Sequence, residues 1–367
     1  MLIMKFTYWI YILNMYMFHY LSMSKQECCE AKTGCAFVWL VMIGNSYVPG
    51  ALVSAHSFKR VGSVHDLVVM VTDDIKEDER KQLGVVFDAV VGVKYLEFKS
   101  ASLKTEKQVK TYSWIDKSYT KWNCLNLTQY NKVCIVDADL VALRNIDDVF
   151  ELNVPAGIFA SPYNKIYSPY GRPKHGSLVS ASKVWKGLTL NSFVPNAYLM
   201  VLPTSEEYYK GLIDMILECS NESGYGFSTC YYGYDEQSIS HFLSCYAKGP
   251  KLNWSAMDPK YGFNVGKYNM LLRGEAPLTL HYLSHPKPWV SKENWPDLDV
   301  WWALARDLKA VENGLCWDRL NIDNVVLGRK DAKTCYYCKM FYPRLSYKHS
   351  FMSCFGLKKY KKLNYVL

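Results

Sequence analysis

The chain has 367 residues, 50% of them hydrophobic and 21% charged; that is enough apolar material for one large domain and excludes a disordered, collagenous or coiled-coil description of the whole. The formal net charge of +9 is concentrated at one end, where ten Lys/Arg between Gly328 and Leu367 stand against Asp331 alone. The body is therefore neutral and is not expected to bind nucleic acid, while an aromatic content of 15% leans toward flat or sugar-like ligands.

In chain order, residues 1–34 read as an apolar leader. The run Phe6–Leu21 follows Lys5, but it is interrupted by Thr7, Asn14 and His19 and falls short of the roughly 20 apolar residues of a spanning helix. Met23, ahead of Ser24-Lys25-Gln26-Glu27, offers an alternative start. The expectation is a cytoplasmic protein, with a membrane-anchored or secretory route if the leader is used. The 12 cysteines mostly stand singly, which fits a reducing compartment.

From Ala36 apolar runs alternate with helical stretches. Strands are predicted at Ala36–Ile43, Leu67–Thr72, Val85–Val93 and Val133–Val136, and helices at Tyr47–Arg60, Lys76–Leu83 and Tyr119–Tyr130. This alternation predicts an α/β fold with a mostly parallel sheet covered by helices on both faces, and a ligand site beyond the carboxyl ends of the strands. Between Ser161 and Pro195 the pattern lapses into Tyr, Gly, Pro, Ser and Lys and reads as a long functional loop. A strand at Asn196–Leu202 and a helix at Ser205–Cys219 follow. The expected organisation is a leader over 1–34, one catalytic domain over 35–310 and a C-terminal extension over 311–367. Cys335-Tyr-Tyr-Cys338, His349 and Cys354 in that extension are either a zinc ligand set or unpaired thiols.

The sharpest feature is Val133-Cys-Ile-Val-Asp137-Ala-Asp139. Two carboxylates one residue apart, at the end of a buried strand, are placed to share a hard divalent cation. They would cost several kcal/mol if left desolvated and unpaired.

With Thr128-Gln129-Tyr130-Asn131-Lys132-Val133 before this pair and Asn145-Ile146-Asp147-Asp148-Val149-Phe150 after it, the chain resembles the glycogenin-like members of glycosyltransferase family 8. The likeness begins at Ala36-Phe37-Val38, includes Tyr47-Val48-Pro49-Gly50-Ala51-Leu52 and ends at Lys287-Pro288-Trp289. It implies a single GT-A (Rossmann-like) domain and a retaining transferase that uses a UDP-sugar and Mn2+ or Mg2+. The donor implied is UDP-glucose or UDP-galactose. The acceptor, a protein, a glycan or a small molecule, stays open, as does a homodimer.

Carried over by position, the resemblance makes Asp137, Asp139 and His281 the metal ligands. His281 opens the segment His281-Tyr282-Leu283-Ser284-His285-Pro286-Lys287-Pro288-Trp289, in which Ser284 replaces the family's glycine. Lys287 meets the diphosphate. Tyr47 stacks on uracil, with Leu40, Asn45 and Ala138 also at the nucleotide; the asparagine usual three residues before Tyr47 is Gly44 here. Asn196 contacts the donor sugar, and Tyr198 stands where a glycine is usual, narrowing the sugar pocket. Lys121 in Thr120-Lys121-Trp122 reaches the sugar and phosphate, and Asp235-Glu236-Gln237 supplies the catalytic residues beside the sugar.

Two other readings remain at this point. Asp137-Ala138-Asp139-Leu140-Val141 also fits the motif of haloacid-dehalogenase phosphatases, in which the first Asp is a nucleophile. The glycine positions taken by Tyr198 and Ser284 are compatible with a catalytically weak module that only binds a UDP-sugar.

Overall fold

The computed structural model describes residues 34–101, 114–160, 173–190, 194–226, 234–265, 276–283, 285–291 and 296–311. The leader up to residue 33, the tail after Val311 with its cysteines, and Ser284 lie outside the described residues. Among the described residues no helix is long and apolar enough to cross a membrane.

The first half is a parallel sheet. Strands β1 (Cys35–Val41) and β2 (Asp66–Val71) are almost continuously buried, as strands are when helices cover both faces. β1 pairs in parallel with β2 on one side and with β4 (Lys132–Val136) on the other, while β3 (Ala89–Gly92) extends the sheet beyond β2. The chain thus reverses its direction of strand addition between β1 and β4. A crevice opens at such a switch point beyond the carboxyl ends of the two strands, and β4 ends one residue before Asp137.

Beyond β4 the sheet becomes mixed. The long strand β8 (Val194–Pro203) runs antiparallel to β4 and to β6 (Ala156–Ala160); β9 (Trp254–Ala256) and the short β7 (Leu178–Val179) complete the order β3-β2-β1-β4-β8-β6-β9-β7. A separate two-stranded ribbon joins β5 (Leu140–Ala142) to β10 (Thr279–His281).

Helix α1 (Val48–Arg60) starts with Pro49 in its first turn, where a missing N–H costs nothing. It packs against an aromatic cluster of Phe37, Trp39, Phe58 and Phe150, whose rings meet edge to face or tilted at 4.7–6.4 Å. Gly50 allows α1 to approach the site turn: a Cβ there would lie 2.6 Å from the Trp289 ring and 2.7 Å from the Ala138 carbonyl oxygen. Gly50→Ala is expected to lower unfolding stability by about 1–3 kcal/mol, read from urea midpoints at unchanged m-value.

Three predicted elements differ in detail. Of the predicted strand Val85–Val93 only Ala89–Gly92 is strand, because Val85 and Val86 close the helix Glu77–Val86. The region Tyr119–Tyr130 is a 3-10 segment that starts earlier, at Ile115–Asn126; it buries Tyr119, Trp122 and Leu125 while presenting Lys121 to the sheet edge. The stretch Ser161–Pro195 is not loop throughout. It contains helix α3 (Ala181–Thr189), capped by the Ser180 hydroxyl, which accepts from the Lys183 N–H at 3.3 Å. Only Val184, Gly187 and Leu188 form its buried face, so the apolar period was too short to stand out among Ser, Lys and Trp. Helices α2 (Glu77–Val86), α4 (Glu206–Cys219), α5 (Tyr234–Ser244) and α6 (Pro296–Val311) complete the layers.

Candidate active site and metal centre

Backbone register assembles the site. The Asp137 N–H donates to the Tyr198 carbonyl on β8 at 3.0 Å, and the Asp137 carbonyl accepts from Leu140 N–H at 3.0 Å, turning the chain tightly from β4 into β5. In the ribbon Leu140 lies opposite His281, and Tyr282 N–H donates to the Asp139 carbonyl at 2.9 Å. A histidine about 140 residues away in sequence is thereby fixed beside the acidic turn.

His281 is 1% exposed, and its Nε2 lies 3.1 Å from Asp139 Oδ1 and 4.0 Å from Asp137 Oδ2. One ligand atom from each of the three residues falls within 4.8 Å of the others. Asp139 Oδ1 and His281 Nε2 are fully buried and make no hydrogen bond of good geometry. Each such orphan costs about 1–3 kcal/mol, a cost that a shared cation removes. His281 Nδ1 lies 2.7 Å from Asn264 Oδ1. An amide oxygen only accepts, so Nδ1 carries a proton and Nε2 faces the carboxylates, where its lone pair would serve a bound cation. The donor set, two carboxylate oxygens and one imidazole nitrogen, suits a divalent cation.

Two lysines neutralise the carboxylates. Lys121 Nζ donates to Asp137 Oδ1 at 2.8 Å and to the Ala197 carbonyl at 3.1 Å, and lies 3.8 Å from Asp235 Oδ2. Lys287 Nζ donates to Asp139 Oδ2 at 2.5 Å and to the Tyr282 and Leu283 carbonyls, each at 3.0 Å. Burial alone would discharge Lys121, but Asp137 and Asp235 outweigh it and hold the ammonium more firmly protonated than usual. Burial alone would likewise raise the Asp139 carboxyl; His281 and Lys287 reverse this and hold it well below the ordinary carboxylate range. Asp235 is displaced upward, chiefly by burial, in spite of Lys121.

The other candidates surround this centre. Tyr47 packs edge-on against Trp289 at 5.3 Å, and the Trp289 indole N–H donates to the Ser46 carbonyl at 2.8 Å. The Tyr47 phenol is pushed up by burial and then by the charges of Asp139 and Asp137. Leu40 is half-buried on β1, and Ala138 is buried under α1. Asn45 Oδ1 accepts from Lys76 N–H at 3.4 Å. The backbone explains Gly44: φ 74 and ψ −171 is a region essentially reserved for glycine. Its N–H donates to Asp74 Oδ2 at 2.7 Å.

At the head of α5, Glu236 Oε1 accepts from Ala197 N–H at 3.0 Å, Gln237 is fully buried, and Asp235 Oδ2 lies 3.8 Å from Lys121 Nζ. Asn196 donates to the Tyr198 hydroxyl at 3.3 Å. The Tyr198 side chain is 7% exposed and lies against His281 and Gly262. It fills space beside His281.

Asn264 and Asp74 were missed by sequence reasoning. Neither sits in a ligand-like spacing, and their roles arise from strand pairing and a turn conformation that one sequence does not display. Asn264→Leu is expected to weaken Mn2+ binding by about 10–100-fold; calorimetric titration of Mn2+ with UDP present measures it.

Comparison with known proteins agrees with this geometry. The family model "Glycosyl transferase family 8" matches residues 40–187. An uncharacterized protein of Acanthamoeba polyphaga mimivirus is 24% identical over 260 residues, covering 69% of this chain and 82% of that protein. Glycogenin-1 of Oryctolagus cuniculus is 38% identical over 117 residues, covering 32% of this chain and 34% of its own length. The chain thus matches about a third of the rabbit protein. The crystal structure of an active-site mutant of LgtC superposes with a TM-score of 0.52 at 12% identity, over 78% of this chain and 99% of that one. The fold is that of a GT-A glycosyltransferase. The chain is thus similar to glycosyltransferase family 8 over residues 40–187 and to glycogenin-1 over about a third of its length. This similarity favours a glycosyltransferase over the phosphatase reading of Asp137 and Asp139.

Proposed function

We propose that the protein is a metal-dependent, retaining hexosyltransferase that moves glucose or galactose from a UDP-sugar to an acceptor hydroxyl. The observation that carries this reading is the buried cluster of Asp137, Asp139 and His281, with its two orphaned ligand atoms and a lysine on each carboxylate. Asp137, Asp139 and His281 would hold the cation, whose charge offsets the negative charge that builds on departing UDP.

The chain's own groups do the rest. Lys121 and Lys287 are fixed cations beside the same cluster, and their charge would act on diphosphate oxygens. Tyr47, held edge-on by Trp289, offers a ring face to the base. Glu236 ties the head of α5 to Ala197 on β8, keeping Asp235 and Asn196 in one frame for the sugar. The burial that raises Asp235 favours its neutral form more than for an exposed carboxyl, which suits hydrogen bonding to sugar hydroxyls.

The test is UDP release from a panel of UDP-sugars with Mn2+. Turnover of UDP-glucose or UDP-galactose above the other sugars is expected. Preference for a different sugar would overturn the hexose assignment, and release unaffected by chelator would overturn metal dependence.

A further inference from the structure

We infer that Tyr198 is a positioning residue for His281: its ring sets the plane of the imidazole and so tunes the affinity of the cluster for its cation. The inference rests on the metal-site reading above and goes beyond it, because the residue at this position is where the chain departs from the glycine expected by family resemblance.

Tyr198 touches both sides of the cluster. Its carbonyl accepts the Asp137 N–H at 3.0 Å, and its ring centroid lies 4.4 Å from that of His281 with 31° between the planes. The hydroxyl is fixed at the far end, donating to the Gly262 carbonyl at 2.9 Å and accepting from the Asn196 amide at 3.3 Å. A buried ring anchored by its own polar tip has one orientation, and the imidazole beside it inherits that orientation.

The partner segment is built to match. A Cβ on Gly262 would lie 2.6 Å from Tyr198 Cε2 and 2.6 Å from Ile158 Cδ1, so the glycine makes the room that the tyrosine occupies. Two residues later Asn264 holds His281 Nδ1, and between them the Phe263 carbonyl accepts the His281 N–H at 2.8 Å. Residues 262–264 thus grip Tyr198 and His281 together. Asn264 fixes the tautomer and one in-plane direction; the Tyr198 ring restrains rotation out of that plane.

The test is calorimetric titration of Mn2+ into protein saturated with UDP, for the wild type, Tyr198→Phe, Tyr198→Leu and Gly262→Ala, with circular dichroism to establish folding. Tyr198→Leu is expected to lose about 10–100-fold in Mn2+ affinity, and Tyr198→Phe, which keeps the ring, to lie closer to the wild type. Gly262→Ala keeps the tyrosine but displaces its ring; it is expected to weaken Mn2+ too, so the inference stays testable if the leucine variant does not fold. A folded Tyr198→Leu or Gly262→Ala protein with wild-type affinity, or equal loss in the Phe and Leu variants, overturns it. Failure of the wild type itself to bind Mn2+ would instead sink the metal-site reading.

Discussion

The double substitution Asp137→Asn with Asp139→Asn is expected to lower UDP release from the preferred UDP-sugar by roughly three orders of magnitude, since several kcal/mol of charge stabilisation leave with the cation. The fold should persist at lower stability, because Lys287 loses its buried partner. Asp137 and Asp139 keep their main-chain hydrogen bonds to Tyr198 and Tyr282, and an amide replaces each carboxylate at nearly constant volume. The loss should therefore appear in kcat with an unchanged circular dichroism spectrum, and added Mn2+ should not restore it. Single substitutions separate the roles. Asp139→Asn removes the ligand facing His281 and leaves Lys287 beside a neutral amide, so it should cost more than Asp137→Asn, whose carboxylate is about a third exposed.

Lys287→Met is the second large effect, and it acts on stability as well as turnover. Lys287 and Asp139 are 7% and 8% exposed as side chains, and removing one partner of a buried pair costs about 3–5 kcal/mol because the other charge stays desolvated. The pH dependence follows from the direction of the Asp139 displacement. A carboxyl held below its unfolded value near about 4 contributes stability in full above that pH and loses it as pH falls through the depressed folded value. The difference between wild type and Lys287→Met should thus be widest above about pH 4 and narrow on further acidification. Mn2+ should restore part of the variant's stability, since a bound cation supplies the charge that Asp139 has lost. Denaturant unfolding with and without Mn2+ over that pH range measures all three effects.

The legible part of the fold was the part in which burial is one-dimensional. Strands β1, β2 and β4 are covered on both faces, so their apolar runs appear directly in the sequence and the acidic pair stands out at the end of the last. Lys121, Lys287 and His281 became candidates only through family resemblance. Their convergence depends on the β5–β10 ribbon and on the 3-10 segment, whose short elements carry little periodicity of their own.

The illegible part is made of contacts between segments distant in sequence. Asn264 sits 17 residues from His281 along the chain and reaches it because His281 N–H bonds the Phe263 carbonyl. Tyr198 is expected to narrow the sugar pocket; what the sequence does not display is that its hydroxyl donates to the Gly262 carbonyl, 64 residues on, and that its ring packs against His281. Helix α3 escaped because a nine-residue helix with three buried positions gives the helical period only one repeat.

The most direct test of the account is calorimetric titration of UDP in the presence and absence of Mn2+, for the wild type beside the Asp137→Asn/Asp139→Asn protein. The account predicts that Mn2+ strengthens UDP binding to the wild type and has no effect on the double variant. Equal UDP affinity with and without Mn2+ in the wild type, or Mn2+ enhancement that survives in the double variant, would contradict the assignment of Asp137, Asp139 and His281 as the metal centre of a nucleotide-sugar transferase.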